Sequence, residues 1–301
     1  MKYSLIIHGG CGQVNKFTKT QQKAFLKSLK TIISAGGKYL KKGKSALETV
    51  EYCVQLLEDD PLYNAGRGSV LSNKGKVEMD ASIMDGSNLK AGAVAGISKI
   101  KNPVSLARQV MDQTPHVLII GQEAMEFAKK MKAPKKPVSY FITAKREKQL
   151  LDAKKKGYFG LDHGSKTGTV GAVAMDSNGN IAAATSTGGM VNKRYGRVGD
   201  SALIGCGTYA DNQTCGISCT GIGEDFIRTS LAKHTSDLIL HKGYTAKKAA
   251  TEAIKHFKKR ISGYGGIIMI DHKGKPAEAF STEGMIRAWV EEGSKPVCKL
   301  F

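Results

Sequence analysis

The sequence predicts an α+β protein in which antiparallel sheets are covered by helices, and two observations carry that prediction. Strands and helices are grouped within each half of the chain more than they alternate, which disfavours a doubly wound parallel sheet. In the second half, apolar runs are paired across tight turns: TVGAVAMD (169–176) returns as IAAATSTGG (181–189) through Ser177-Asn178-Gly179-Asn180, and GGIIMIDHKGKPAEAF (265–280) reads as a closing hairpin.

The elements follow in order. Tyr3 to Ile7 is a strand that ends in a glycine turn at His8, Gly9 and Gly10, and a helical pattern runs from about Gln21 to Lys42. Ser45 and Glu48 form an S-x-x-E capping box. Behind it Ala46, Leu47, Val50, Val54 and Leu57 recur at helical spacing until Pro61 stops the run. YNAGRGSVLSNKGKVEMDASIMDG (63–86) reads as a hairpin meander, Asn102-Pro103 opens a short helix, and His116 to Ile120 is a further strand. From about Lys129 to Thr167 lysines face few acids and Pro134 and Pro137 break regular structure, so this stretch reads as a mobile, exposed linker with one helix near Lys145 to Lys156. Two amphipathic helices are expected at roughly 224–240 and 245–261.

Composition narrows the class. With 301 residues, 41% hydrophobic and 24% charged, the chain can bury one sizeable core, and no stretch is long enough to span a bilayer. The net charge of +20 invites a nucleic-acid reading. The lysines, however, are spread over helix faces with no RNP pattern or zinc-finger spacing, so no nucleic-acid partner is expected. Cys206, Cys215 and Cys219 lack a C-x-x-C pair or an interleaved histidine, so they are expected as small core residues. Six cysteines and an N-terminus too short in apolar residues for a signal segment predict free thiols in the cytoplasm.

The sharpest chemical feature is a linker that leads straight into Gly168-Thr169 at the start of a buried strand. Were the chain cut there, Thr169 would carry a nucleophilic hydroxyl and a free α-amine, whose pKa near ~8 suits a general base. Taken alone, a β-branched residue opening a strand is the plainer reading. TSTGG brings hydroxyls back on the paired strand, GRVGD (196–200) sets opposite charges three apart, and CTGIGED (219–225) is a glycine turn that opens a helix. Each has a bland alternative: a solvated strand end, a surface ion pair, a helix cap. Together they form a hydrolase site. The helix-leading turn offers backbone N–H groups and the Thr220 hydroxyl to an oxyanion, and Arg197 and Asp200 suit the α-carboxylate and α-ammonium beside an isoaspartyl bond.

HGG, YNAGRGSVL, MDASIMDG, LKAGAVAG, TVGAVAMD, ATSTGG, GRVGDS, CTGIGE and STEGMIRAW occur in one order along nearly the whole chain. In these motifs the sequence resembles the plant-type asparaginase/isoaspartyl peptidase family of Ntn-hydrolases, most closely its bacterial members. The resemblance implies a four-layer αββα sandwich that forms one globular domain, self-cleaved between Gly168 and Thr169. The products would be an α subunit of residues 1–168, ending in the lysine-rich linker of about 130–168, and a β subunit of residues 169–301. They would assemble as a dimer of αβ heterodimers. By position, Thr169 is the implied nucleophile, Thr187 the hydroxyl that orients it, and Asn64 a residue that holds the site and assists processing. Arg197 and Asp200 are the implied substrate anchors, Thr220 and Gly221 the oxyanion hole, and Gly223 a glycine lining the substrate. The implied substrates are L-asparagine and β-aspartyl dipeptides, with no catalytic cofactor. A structural Na⁺ is implied on the main-chain carbonyls of Leu57, Glu58, Asp60, Tyr63, Ala65 and Arg67.

Two related readings compete. Glycosylasparaginases resemble TSTNG where this chain has TSTGG (185–189), and protein-processing threonine aspartases lack an acid at the position of Asp200. A reading of another class, a basic binding module with relic hydrolase motifs, must explain why Thr169, Thr187, Arg197, Asp200 and Thr220 are all retained.

Overall fold

The computed structural model describes residues 2–158 and 168–301. The first half builds β1 (Ser4–Gly12), α1 (Lys19–Lys41), α2 (Ala46–Asp59), β2 (Met79–Asp85), β3 (Ala91–Ile97), α3 (Pro103–Gln113), β4 (Leu118–Ile120), α4 (Gly121–Lys130), α5 (Val138–Phe141) and α6 (Ala144–Lys155). The second half builds β5 (Val170–Met175), β6 (Ile181–Thr187), β7 (Thr208–Asp211), β8 (Cys215–Gly221), α7 (Gly223–Thr229), α8 (Leu231–Lys242), α9 (Ala246–Ile261), β9 (Gly265–Asp271), β10 (Pro276–Phe280), β11 (Gly284–Glu291) and β12 (Val297–Lys299).

These strands form an eight-stranded sheet in the order β12-β11-β1-β5-β6-β2-β3-β4 and a four-stranded sheet in the order β10-β9-β8-β7. All neighbours are antiparallel except β3 and β4. The sheets pack face to face, and side-chain alternation assigns each strand to two apolar layers. In β1, Leu5 and Ile7 join the core under the helices of the first half, whereas Ile6 between them joins the core between the sheets. In β9, Ile268 and Ile270 face the inter-sheet core while Ile267 and Met269 pack with Phe257 and Ala250 of α9. The result is the αββα sandwich. Strands buried on both faces account for the near-continuous apolar runs of the sequence.

Several expectations are met closely. The Ser45–Glu48 capping box is present, the hairpin of β5 and β6 pairs Val170 with Ser186, and Thr245 caps α9. Others need correction. The first helix begins at Lys19, because Thr18 and Gln21 make a second capping box that the apolar pattern does not reveal. The helix read over 224–240 is broken at Ser230, whose φ of 45° ends α7 before α8 starts. Of the meander over 63–86, only β2 and an isolated Leu71–Val77 bridge are extended pairs, and the rest is turn. Both β11 and β12 went unread as strands, although β11 pairs with β1 along seven positions.

The lysine-rich stretch also differs from an exposed linker as far as Tyr158. Phe141, Leu150 and Ala153 are buried there, and the wholly buried Arg146 donates from Nε to the Gly68 carbonyl at 2.5 Å. The expected helix is α6. The end of the stretch, residues 159–167, lies outside the described residues. Among the cysteines, Cys215 and Cys219 are buried as expected and Cys206 is partly exposed. No group of three His, Cys, Asp or Glu residues able to hold a metal occurs among the described residues, and none of their helices is long and apolar enough to cross a membrane.

Candidate active site

The β5–β6 register decides what stands beside Thr169. Val170 pairs with Ser186 and Gly171 with Thr185, so the next position outward sets Thr169 against Thr187 at the sheet end. The Thr169 hydroxyl donates to Thr187 Oγ1 at 3.2 Å, and Thr187 Oγ1 also accepts the Gly189 N–H at 2.9 Å. Ser201 Oγ lies 3.5 Å from Thr169 Oγ1. Both threonines are buried.

Around this pair closes a small cavity walled by Asn64, Gly168, Thr169, Thr187, Arg197, Asp200, Gly221 and Gly223, together with Gly189, Met190, Gly199 and Ser201. Its free volume of about 10 Å³ has room for roughly one water, so the uncut chain holds no space for a substrate. Gly168 itself fills part of the wall. Gly10, with φ 105°, backs onto it so closely that a Cβ there would lie 2.3 Å from the Gly168 nitrogen. Asn64 braces the opposite side, donating to the Gly189 carbonyl and accepting from the Val70 N–H, both at 2.8 Å.

Thr220 is not on the cavity wall, but its buried Oγ1 has no hydrogen-bond partner among the described residues and lies 2.8 Å from where a Cβ on Gly168 would stand. An unpaired buried hydroxyl costs about 1–3 kcal/mol, a cost relieved by any oxyanion that forms at this carbonyl. Gly223 is demanded by space: a Cβ there would meet Arg197 Nη2 at 2.6 Å and Asp200 Oδ1 at 2.9 Å.

The two charged residues differ from the simple pair that their spacing suggests. Arg197 makes a bidentate bond to Glu224, Nε to Oε1 and Nη2 to Oε2, each 2.8 Å. Burial works to lower the Arg197 guanidinium, but Glu224 outweighs it and the net shift is upward. Glu224 is held below its ordinary value by the same contact. Asp200 is 3% exposed, and one carboxylate oxygen has no partner. Burial pushes its carboxyl up to about 7, against the opposing pull of Arg197. A buried carboxylate with a vacant lone pair, beside a guanidinium, suits a ligand that brings its own cation and anion.

Behind the site, buried hydroxyls hold the turn that carries Asp200. Ser82 Oγ donates to the Ser201 carbonyl at 2.6 Å and lies 2.8 Å from Thr208 Oγ1, which contacts Thr185 Oγ1 at 2.6 Å. Thr185 meets Ser218 Oγ at 2.7 Å, and Ser218 meets His8 Nε2 at 2.9 Å. Burial pushes the His8 imidazole down to about 3, partly offset by the Thr169 backbone, so this histidine is neutral at working pH. Ser82→Ala strands the Ser201 carbonyl; the expected loss is about 1–2 kcal/mol of stability, read from the denaturant midpoint. KM should rise more than kcat falls, because the turn that presents Asp200 loosens.

Every residue singled out for catalysis or substrate binding therefore lies at or against one cavity. The loop 57–67 reaches it only through Asn64. Sequence reasoning missed Ser201, His8 and the Glu224 brace. The only signal was adjacency, since Ser201 follows Asp200 and Glu224 follows Gly223.

Comparison with known proteins places the chain in a family. A family model described as Asparaginase matches residues 1–299. The chain is 44% identical to the isoaspartyl peptidase of Escherichia coli, with 100% of this chain and 96% of that protein covered. It is 44% identical to the plant-type L-asparaginase of Pyrococcus abyssi (96% and 97% covered) and 42% identical to the human isoaspartyl peptidase/L-asparaginase (96% and 93% covered). With a matching family model along its length and relatives this similar over nearly all of theirs, the chain belongs to the plant-type asparaginase and isoaspartyl peptidase family of Ntn-hydrolases.

Proposed function

We propose that this protein is a self-processing threonine amidohydrolase that releases L-aspartate from β-aspartyl dipeptides and from L-asparagine. The observation that carries the reading is that one small cavity is walled by Thr169, Arg197, Asp200 and the very residue, Gly168, whose departure would enlarge it. In processing, the Thr169 hydroxyl adds to the Gly168 carbonyl and the C–N bond breaks to leave an ester. Water then hydrolyses the ester, giving a Gly168 carboxylate and restoring the Thr169 hydroxyl beside the α-amine freed when the C–N bond broke. The fragments would be residues 1–168 and 169–301.

In turnover, Arg197 binds the substrate α-carboxylate and Asp200 its α-ammonium, with Gly223 leaving room for both. Thr169 Oγ1 attacks the side-chain carbonyl while its own α-amine takes the hydroxyl proton and returns it to the leaving nitrogen. Thr220 Oγ1 and the Gly221 N–H receive the developing oxyanion, and Thr187 orients the nucleophile. Water then deacylates the enzyme. Asn64 keeps the 188–189 turn in place in both reactions.

A structural Na⁺ fits the loop after α2. Pro61 has no N–H, so the Leu57 carbonyl lacks its helical i+4 donor. Gly68 at φ 94° sits so close that a Cβ there would lie 2.7 and 2.8 Å from the Pro61 and Tyr63 carbonyl oxygens. The Glu58 carbonyl takes the Arg67 N–H at 2.7 Å and the Asp60 carbonyl the Tyr63 N–H at 3.3 Å, each with a lone pair remaining. Carbonyl-rich turns of this kind suit hard cations. Leu57, Glu58, Asp60, Tyr63, Ala65 and Arg67 would hold the ion through main chain, while the Arg67 side chain turns away over the Tyr140 ring. The six free cysteines suit a reducing cytoplasm, and the processed halves are taken to assemble as a dimer of αβ heterodimers.

The test is intact-mass analysis of the purified protein, N-terminal sequencing of the smaller fragment, and assay on L-asparagine and β-aspartyl dipeptides. A fragment beginning TVGAVAMD and aspartate release from both substrates are expected. Full activity in an uncut chain rejects the mechanism.

A further inference from the structure

A dipeptide places a second amino acid beyond the aspartyl moiety held in the small cavity around Thr169. Of the residues on its wall, only Met190, Arg197 and Gly221 are not buried. A leaving residue therefore emerges past these three. Met190 and Arg197 are also part of an open groove of about 510 Å³, completed by Lys193, Arg194, Tyr195 and Glu224. Among the described residues, this groove continues the cavity outward.

The groove has a definite chemistry. Tyr195 is 98% exposed, held out from the body on a backbone with φ 56°, and Arg194 beside it is exposed as well. Lys193 is buried and its Nζ donates inward to the Glu78 and Gly188 carbonyls, so its charge lies under the floor. Glu224, the acid in this set, has both oxygens engaged by Arg197. Lys193 lies under the floor and Arg197 is held by Glu224, so the exposed charge of this groove is that of Arg194, beside a thioether and an aromatic ring.

We propose that this groove is the subsite for the leaving residue of a β-aspartyl dipeptide. Arg194 attracts the free α-carboxylate of that residue, and Met190 and Tyr195 contact its side chain. The enzyme then favours leaving residues with neutral or acidic side chains over those with lysine or arginine side chains. This rests on the amidohydrolase reading given above and adds the source of its dipeptide selectivity.

L-Asparagine supplies the internal reference, because its leaving group is ammonia and does not reach the groove. Steady-state kinetics of the processed enzyme are measured on β-Asp-Leu, β-Asp-Glu, β-Asp-Lys and L-asparagine, for the wild type and for Arg194→Glu and Tyr195→Ala. The wild type is expected to prefer β-Asp-Leu and β-Asp-Glu to β-Asp-Lys. In Arg194→Glu, kcat/KM for β-Asp-Leu relative to asparagine should fall roughly fivefold, mainly through KM, as suits an exposed charge contact. The disadvantage of β-Asp-Lys should shrink in the same variant. Tyr195→Ala should lower the β-Asp-Leu to asparagine ratio by about threefold, through loss of one partly exposed aromatic contact. Ratios that stay at wild-type values in both variants overturn the subsite while leaving the amidohydrolase reading intact. A processed wild type that turns over neither asparagine nor any dipeptide overturns that reading, and the subsite with it.

Discussion

Replacing Thr169 by alanine is expected to leave one uncut chain of 301 residues with no measurable turnover. The substitution removes the hydroxyl proposed to attack the Gly168 carbonyl, so the first bond cannot break. Without that break the cavity keeps its free volume of about 10 Å³ and Gly168 stays in its wall, which excludes substrate independently of chemistry. Loss of a nucleophile acting with its base costs on the order of 10⁴-fold or more in rate, and here the base is never liberated. Thr169→Ser separates the two effects, because it keeps the hydroxyl bonded to Thr187 and gives up only a methyl group. That variant should still cleave and turn over, more slowly. Intact mass and asparagine hydrolysis are the measurements, and a processed alanine variant would falsify the nucleophile assignment.

The second large effect is expected at Asp200. Asp200→Asn keeps shape and removes the charge proposed to meet the substrate ammonium inside a buried site. Breaking such a pair costs about 2–4 kcal/mol, or roughly 30- to 1000-fold in kcat/KM. The pH dependence gives a sharper signature. Burial places the Asp200 carboxyl near about 7 in the uncut, empty cavity, so lowering pH through that value protonates it and removes its charge. Substrate affinity should therefore fall as the medium becomes acid and recover above neutrality. If opening the cavity hydrates Asp200, the midpoint moves down, because the desolvation that raised it is relieved. In Asp200→Asn the carboxyl contribution to the profile vanishes, and what remains reports the Thr169 α-amine. A profile for the asparagine variant that superimposes on the wild type shows that Asp200 does not titrate in binding.

The residues that carry the proposed chemistry were legible because each is a type that chemistry demands, set in a short motif with glycines around it. Thr169, Arg197, Asp200 and Thr220 are read this way, Thr187 and Gly223 follow from the family resemblance, and the structure sets all six at or against one cavity. What could not be read were partners supplied by remote segments. Glu224 stands in the first turn of α7, and only the fold shows it gripping Arg197. Ser82 lies in a strand far from Ser201 and fastens its carbonyl across the gap between the two sheets. The lysine-rich stretch was misread for the same reason. Its composition is that of an exposed tether, yet Phe141, Leu150 and Arg146 plug into the first-half core.

The sequence by itself determined the elements with local causes: capping boxes that start helices, Pro61 that ends one, and the four-residue turn that folds β5 onto β6. It also determined the register that sets Thr169 opposite Thr187, because a tight turn leaves antiparallel strands little freedom to slip. The tertiary structure decided what depends on distant segments meeting: the break at Ser230, the pairing of β11 with β1, the burial of Asp200, and the closing of the cavity by Gly168. Burial and the dielectric it imposes belong to the assembled layers and not to any stretch of chain. For that reason the residue types of the site were readable in advance, while their charges and partners were not.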